Sequence, residues 1–369
     1  MVESGRRVDK PPRRVALVQT AFVGDVVFAS PLVHAIKTKY PQSSLAMMVR
    51  PDKAELAACI PGVDEVVSFD KRGSESGIGG LVRAARKLRR GDFDLLISPH
   101  RSSRTAILAG MSGVADRLGY WEGLGKLFYN LGMRPRAGEP CSLLQDLALL
   151  KQIGIESPNP RLRLRAPGSQ LRYRQDFYQR NRLADDARLV GMCIGSLWPT
   201  KRWPPVYFAS LAGFLSERNY HPVMFGGPEE QGIARQIEPM AKGSLLSCVG
   251  NSLVESAAML ECCEMVVGGD TGLTHMARAL GVKTVIIYGP TDPRMHYFGD
   301  GCKVLTAHVK CRPCSRHGHM RCPERHHDCM RLVSPEKVIE ALREIAGLQT
   351  PAPAAISRPE ESQPDLASR

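Results

Sequence analysis

Residues 266–293 read VVGGDTGLTHMARALGVKTVIIYGPTDP. An apolar run delivers Gly268-Gly269-Asp270-Thr271-Gly272, and helical spacing begins at about Leu273. Glycines there let a ligand approach the backbone closely, and the first turn of the new helix offers unpaired N–H groups to phosphate oxygens. The loop is neither the G-x-G-x-x-G of a dinucleotide fold nor a phosphate loop ending in Lys-Ser/Thr. A second apolar run, Thr284–Tyr288, follows. Strand, ligand-type loop, helix and strand in that order make one unit of an α/β fold with a parallel sheet.

The same unit recurs in both directions along the chain. Upstream, Leu189–Ile194, Val223–Phe225, Leu245–Val249 and Met265–Val267 have strand length and composition. Between and around them, Pro205–Arg218, Glu230–Met240, Ser252–Cys263 and Leu273–Leu280 have helical spacing, and Ser334–Ala346 is a last helix. The first half repeats the scheme. Arg14–Thr20, Ser44–Val49, Glu65–Phe69 and Asp94–Ser98 are strands, and helices run to about Lys39, over Gly79–Arg90 and over Cys141–Ile153. The alternation predicts two doubly wound, Rossmann-like α/β domains facing a cleft. They cover residues 14–155 and 168–347, joined by a Pro/Arg-rich linker at 156–167. A basic extension, residues 1–13, precedes them. Residues 348–369 form a Pro-rich tail too polar to fold alone.

At 369 residues, either half is large enough to bury its own core. The start of the chain is basic and polar, with no apolar run of signal-peptide length, and no segment reaches the length of a membrane span. A cytoplasmic protein is expected, and cysteines in apolar contexts such as Cys193 and Cys248 agree with a reducing compartment. The net charge is +13. Residues 1–170 hold 26 Lys and Arg against 16 Asp and Glu, and residues 171–369 hold 24 against 21. The basic first half therefore expects an anionic partner: nucleic acid, an acidic membrane surface or an acidic glycolipid.

Asp25 sits in the loop after the first strand, where it is read either as a helix N-cap or as a general base. Ser196, Thr200 and Lys201 cluster after Leu189–Ile194, ahead of a helix. They make a diphosphate subsite, with a plain solvated loop as the alternative. Glu229 or Glu230, after another strand, is placed to accept from ribose hydroxyls. His275, on the first turn after Gly272, is by itself a packing or supporting histidine, and it is grouped with the donor-binding residues. Asp92-Phe93-Asp94 has the form of a metal-binding D-x-D but precedes a strand, opposite the ligand-binding edge, and is set aside. Cys311, Cys314, Cys322 and Cys329, interleaved with four histidines, are ligand types fit for a structural zinc. Their spacing matches no standard finger, so a disulfide or a plain loop is read ahead of zinc.

In order and spacing, four blocks resemble the ADP-heptose:lipopolysaccharide heptosyltransferases, inverting enzymes with the GT-B fold. They are VGDVVFASPLVHAIKTKYP, TKRWP, GDTGLTHMARALG with YGPTDP, and the Cys-rich segment ending CMRLVSPEKV. The resemblance covers nearly all of residues 14–347, and the VGD block and Cys segment are nearer to heptosyltransferase II than to I. It implies Asp25 as catalytic base, Lys201 on the diphosphate, and Asp270, Thr271, Gly272 and Leu273 as the nucleotide loop. It also implies Glu230 on the ribose. Arg101 and Arg104, after a strand end in the basic half, are candidates for the acids and phosphates of an acceptor. Cys141 departs from the pattern, since many relatives open that helix with histidine.

The expected chemistry is a single in-line displacement. Asp25 deprotonates an inner-core hydroxyl, which attacks the anomeric carbon of an ADP-activated heptose, and Lys201, Ser196, Thr200 and the helix after Gly272 stabilise the departing diphosphate. Neither a cofactor nor a metal is called for, and the partners are a nucleotide-sugar donor, an anionic lipopolysaccharide acceptor and the inner-membrane surface. A nucleotide-sugar epimerase or dehydrogenase would need a glycine-rich dinucleotide loop and a Tyr-x-x-x-Lys pair, and neither is found. A basic nucleic-acid-binding protein would need interleaved aromatics, which at 6% are scarce.

Overall fold

A computed structural model describes residues 10–156 and 159–346. Most of the basic extension, two linker residues and the Pro-rich tail lie outside the described residues. The first sheet holds β1 (Arg14–Val18), β2 (Ser44–Val49), β3 (Glu65–Ser68), β4 (Leu95–Ser98), β5 (Asp116–Tyr120) and β6 (Leu131–Met133). The second holds β7 (Arg188–Cys193), β8 (Tyr220–Gly226), β9 (Leu246–Val249), β10 (Cys263–Gly269), β11 (Lys283–Tyr288) and β12 (Cys302–Thr306). Every pairing is parallel.

The strand orders are β3-β2-β1-β4-β5-β6 and β12-β11-β10-β7-β8-β9, the same order in both domains. Each reverses direction once, between β1 and β4 and between β7 and β10. Outside the carboxyl ends of those strands the helices leave on opposite faces and open a crevice for ligands. Helices cover both faces of each sheet, and strands such as Leu95–Ser98 are accordingly buried along their whole length. One apolar cluster lies on one face of the first sheet, with Ala16, Val18 and Leu96, and another on the second, with Val190, Met192 and Trp203. The third is shared. Leu17, Val27 and Leu32 belong to the same buried cluster as Val266, Met276 and Ala257, so the domains are packed together.

Helix Val23–Phe28 is separated from helix Ser30–Lys39 at Ala29, where the sequence alone read one helix. Pro31, which has no N–H to give, falls in the first turn of the second helix, where that loss is harmless. Three strands, β5, β6 and β12, were not anticipated. The Pro/Arg-rich linker is a strap. Leu162, Leu164 and Ala166 are buried on alternate positions. The amide of Arg163 bonds Ser30 Oγ at 2.9 Å, that of Leu164 the carbonyl of Ala279 at 2.8 Å, and that of Arg165 the carbonyl of Cys59 at 2.9 Å. It thereby ties helix ends of both domains together.

Candidate active site

The two crevices meet in one cleft of about 500 Å³, lined from both domains. Helix Val23–Phe28 leaves β1 and helix Gly272–Ala279 leaves β10, and the two pack against each other at the cleft.

On the second-domain wall, Lys201 arrives on a short 3₁₀ turn after β7, and Asp270 follows directly on β10. Lys201 Nζ lies 2.6 Å from Asp270 Oδ2, and Thr291 Oγ1 donates to the same oxygen at 2.9 Å. His275 Nε2 takes the other oxygen at 2.9 Å. Burial alone would raise the Asp270 carboxyl, but the His275 hydrogen bond and the Lys201 charge hold it well below the usual carboxylate range. Burial lowers His275 in turn, so its ring is neutral at pH 7. Arg278 donates to its Nδ1 at 3.1 Å, which leaves the ring hydrogen on Nε2, facing Asp270. Asp270 thus fixes Lys201 beside the N-terminus of helix Gly272–Ala279. An ammonium and free N–H groups there suit a diphosphate. Thr271 precedes that helix as its N-cap residue, and Thr271, Gly272 and His275 line the cleft with Ser196 and Lys201.

On the first-domain wall, Asp25 is the third residue of helix Val23–Phe28, and its Oδ2 accepts the Phe22 amide at 2.9 Å. The N-cap reading is therefore corrected by three positions: Phe22 is the N-cap, and Asp25 reaches back to it from the first turn. Burial raises the Asp25 carboxyl above its ordinary value, tempered by the Phe22 hydrogen bond and the charges of His317, Lys201 and Lys71. A carboxylate with raised proton affinity, half-buried in a cleft, is the form a general base takes.

Several sequence expectations are relocated. Thr200 does not reach the cleft. Its hydroxyl donates to the carbonyl of His319 at 2.8 Å and accepts from the His319 amide at 2.8 Å, which makes it a strut for the Cys-rich loop. Glu230, rather than the more exposed Glu229, is the buried acid, and it accepts the Gly227 amide at 2.8 Å. It lies behind Gly195, where a Cβ would come 2.2 Å from its Cγ, outside the cleft lining. Leu273 packs into the shared core. Of the two arginines only Arg101 lines the cleft. Arg104 donates to the carbonyls of Glu75 and Gly77 at 3.0 and 3.2 Å and holds that loop in place. Asp94 accepts the amides of Arg13 and Arg14 at 2.7 and 2.8 Å, at the strand-entry edge where it was set aside.

Cys311, Cys314, Cys322 and Cys329 carry free thiols, so the disulfide reading is corrected. The first three lie in a segment without helix or strand, residues 307–327, and Cys329 is the second residue of the short helix Asp328–Arg331 that follows. Among the described residues, the set of three or more ligand-type side chains gathered within 4.8 Å is Asp270, His275 and His296, not these cysteines. The loop nonetheless belongs to the site, because Arg316 and His317 line the cleft from it. Other residues passed over in the sequence are His100, Asp146, His296 and Phe28, whose ring stacks on His296 at 4.7 Å across the domain boundary. Position after a strand end marks His100, whereas Asp146 and His296 carry no local sequence signal.

A phosphate-type loop on one Rossmann-like domain, facing a buried carboxylate on the other at matching switch points, defines a glycosyltransferase of the GT-B class. The chain belongs to glycosyltransferase family 9 (heptosyltransferase), whose sequence profile matches residues 81–324. It is 26% identical to lipooligosaccharide heptosyltransferase 2 of Haemophilus ducreyi over 76% of this chain and 84% of that protein. To lipopolysaccharide heptosyltransferase 2 of Escherichia coli K12 it is 23% identical over 89% and 97%. Among solved structures, a family 9 glycosyltransferase of Veillonella parvula superposes with a TM-score of 0.81 at 24% identity, over 90% of this chain and 97% of that one. The ADP-heptose lipopolysaccharide heptosyltransferase II of E. coli superposes at 0.74 with 19% identity, over 90% and 98%. The structural likenesses show the shared fold.

Proposed function

We propose that this glycosyltransferase moves heptose from ADP-L-glycero-D-manno-heptose onto the inner core of lipopolysaccharide, in the manner of heptosyltransferase II. The observation that carries the reading is the pairing across the cleft of Asp25 with the Lys201–Asp270 unit, at charge-interaction range. Asp25 takes the proton of the acceptor hydroxyl, whose oxygen attacks the anomeric carbon from the face opposite the nucleotide. The bond from that carbon to the phosphate oxygen breaks, the configuration inverts, and the negative charge passes to ADP. Lys201, Ser196 and the N–H groups after Thr271 meet that charge, and the proton stays on Asp25 until release.

Lysine and amide groups supply the positive potential, so turnover is proposed to be metal-independent. Retained activity after chelator treatment supports this, and loss restored only by added metal contradicts it. The enzyme is proposed to act in the cytoplasm against the inner membrane. Among the described residues no helix is long and apolar enough to cross a membrane. Exposed Ile78 (81%) and Leu127 (75%) lie on helices that both pack on helix Ser103–Met111, beside the basic face of helix Gly77–Arg90, which suits peripheral contact with anionic lipid. Incubating the purified protein with ADP-heptose and a heptose-truncated lipopolysaccharide tests the reading. One added heptose by mass spectrometry is expected, and ADP release without transfer to that acceptor overturns it.

A further inference from the structure

Asp146 is a half-buried carboxyl that the displacement above leaves without a task. It sits on helix Ser142–Leu149 and lines the first-domain wall of the cleft, the same wall as Asp25 and Arg101. Its Oδ1 accepts the hydroxyl of Tyr120, at the end of β5, at 2.7 Å. Among the described residues Oδ2 has no hydrogen-bond partner, and it is not among the buried side-chain atoms left without one, so it opens to the cleft. The surroundings are built to hold it. Arg101 lies 4.4 Å over the Tyr120 ring and donates to Gln145 at 2.7 Å, one residue before Asp146.

An oxygen open to the cleft offers a bound ligand an acceptor, and once that ligand shuts water out, leaving the oxygen without a donor is costly. The missing donor belongs on the side where an acceptor must lie, because Asp25 is close enough for the two charges to interact. A sugar acceptor carries hydroxyls on neighbouring carbons, so one facing Asp25 brings another alongside. We propose that Asp146 binds the acceptor sugar, its free oxygen holding a hydroxyl beside the one that Asp25 deprotonates. The inference rests on the transferase reading above and extends it to the acceptor subsite. The proton balance supports it. Burial pushes the Asp146 carboxyl up to about 7, with Tyr120 and Arg101 opposing and Asp25 adding to the rise. Such a group exchanges hydrogen bonds with a hydroxyl in either direction near neutral pH. The charged and titratable groups facing it are Tyr120 from β5, Arg101 from the loop after β4, Asp25 from the helix after β1, and Cys141 on its own segment.

The test uses full-length enzyme with Asp146→Asn and Tyr120→Phe. Asp146→Asn is expected to raise the acceptor KM about tenfold or more, with ADP affinity unchanged. Tyr120→Phe, which removes the structural bond alone, is expected to keep the acceptor KM within about threefold. Should Asp146→Asn fail to fold, Asp146→Glu displaces the same charge by one methylene and is expected to weaken acceptor binding. Calorimetric titration of the truncated lipopolysaccharide onto the ADP-bound enzyme reads this contact without turnover. Unchanged acceptor affinity in the Asp146 variant, or matching defects in Asp146→Asn and Tyr120→Phe, overturns the inference. Absence of heptose transfer by the unaltered enzyme instead overturns the functional reading.

Discussion

Val23 of the first domain lies directly against Gly272 of the second. A Cβ built on Gly272 would stand 2.7 Å from Val23 Cγ1 and 2.8 Å from Val23 Cβ. The glycine that opens the nucleotide-side helix is thus required by the partner domain as well as by any ligand. Valine is stiff at χ1 and cannot swing aside. Gly272→Ala should therefore wedge the two walls apart and misalign base and donor. A misplacement of this order costs about 10²-fold in kcat, whereas ADP affinity should fall less. Val23→Gly in the same chain, which removes both opposing atoms, should recover much of the loss, whereas Val23→Ala keeps the Cβ at 2.8 Å and should recover little, a contrast that double-mutant cycles measure. Full turnover in Gly272→Ala alone would show that the walls tolerate the methyl.

Lys201 and Asp270 form a buried pair whose removal is read in stability as well as in binding. Lys201→Met leaves the Asp270 carboxylate with only His275 and Thr291, and breaking a buried pair in this way costs about 3 kcal/mol or more. The folded carboxyl titrates well below its ordinary 3.8, so its contribution is present above that pH and fades as pH falls below it. Chemical denaturation of the unaltered protein and Asp270→Asn should show a gap at pH 7 that narrows below about pH 4. A gap that stays constant with pH would mean the carboxylate is not held by its neighbours' charge.

The sequence reveals those parts of this site that are local. The strand–loop–helix passages ending at Asp25, Lys201 and Asp270 are continuous segments, and the carboxyl-end rule places each in a crevice. What escapes is set by contacts distant in sequence. Thr200 looks like a phosphate ligand until the carbonyl of His319, 119 residues on, claims its hydroxyl. Asp146 has no signal in its own helix, because Tyr120 and Arg101 give it meaning. The three missed strands fail for a related reason. Gly119 interrupts β5 because the Tyr129 ring occupies the space of its Cβ, and β6 has three residues. The outer strand β12 is half-exposed and carries lysine. None has the continuous apolar run that identifies β1 or β11.

Thr200 links the Cys-rich loop to the turn that carries Lys201. Thr200→Val keeps the shape and removes both hydroxyl bonds to His319, leaving the bond from the residue-200 amide to the His319 carbonyl at 3.3 Å. Stability should fall by about 1–2 kcal/mol, and hydrogen exchange should quicken across residues 311–327. His317 and Lys201 face the cleft from the two sides of this strut, so donor affinity should weaken as well. Unchanged exchange in the loop would show that other contacts, such as His327 to the Thr200 carbonyl at 2.7 Å, suffice to hold it.

Asp25 is the residue on which the displacement depends most, and its geometry separates two roles. In Asp25→Asn the amide oxygen still accepts the Phe22 N–H, so the first turn of the helix is kept and any loss of stability should stay under about 1 kcal/mol. Burial raises the folded carboxyl, so ionising Asp25 costs the folded state stability as pH climbs through that value, and the neutral amide escapes this penalty. Turnover should behave in the opposite way, because proton acceptance is lost, and kcat should fall by about 10²–10⁴-fold while ADP binding holds. In the unaltered enzyme the acidic limb of kcat/KM should lie above 3.8, since only the ionised base accepts a proton. Lys71→Met removes a charge that favours the ionised form and should shift that limb to higher pH. An Asp25→Asn enzyme with undiminished kcat would remove the carboxylate from the reaction, and a large loss of stability would return it to a capping role.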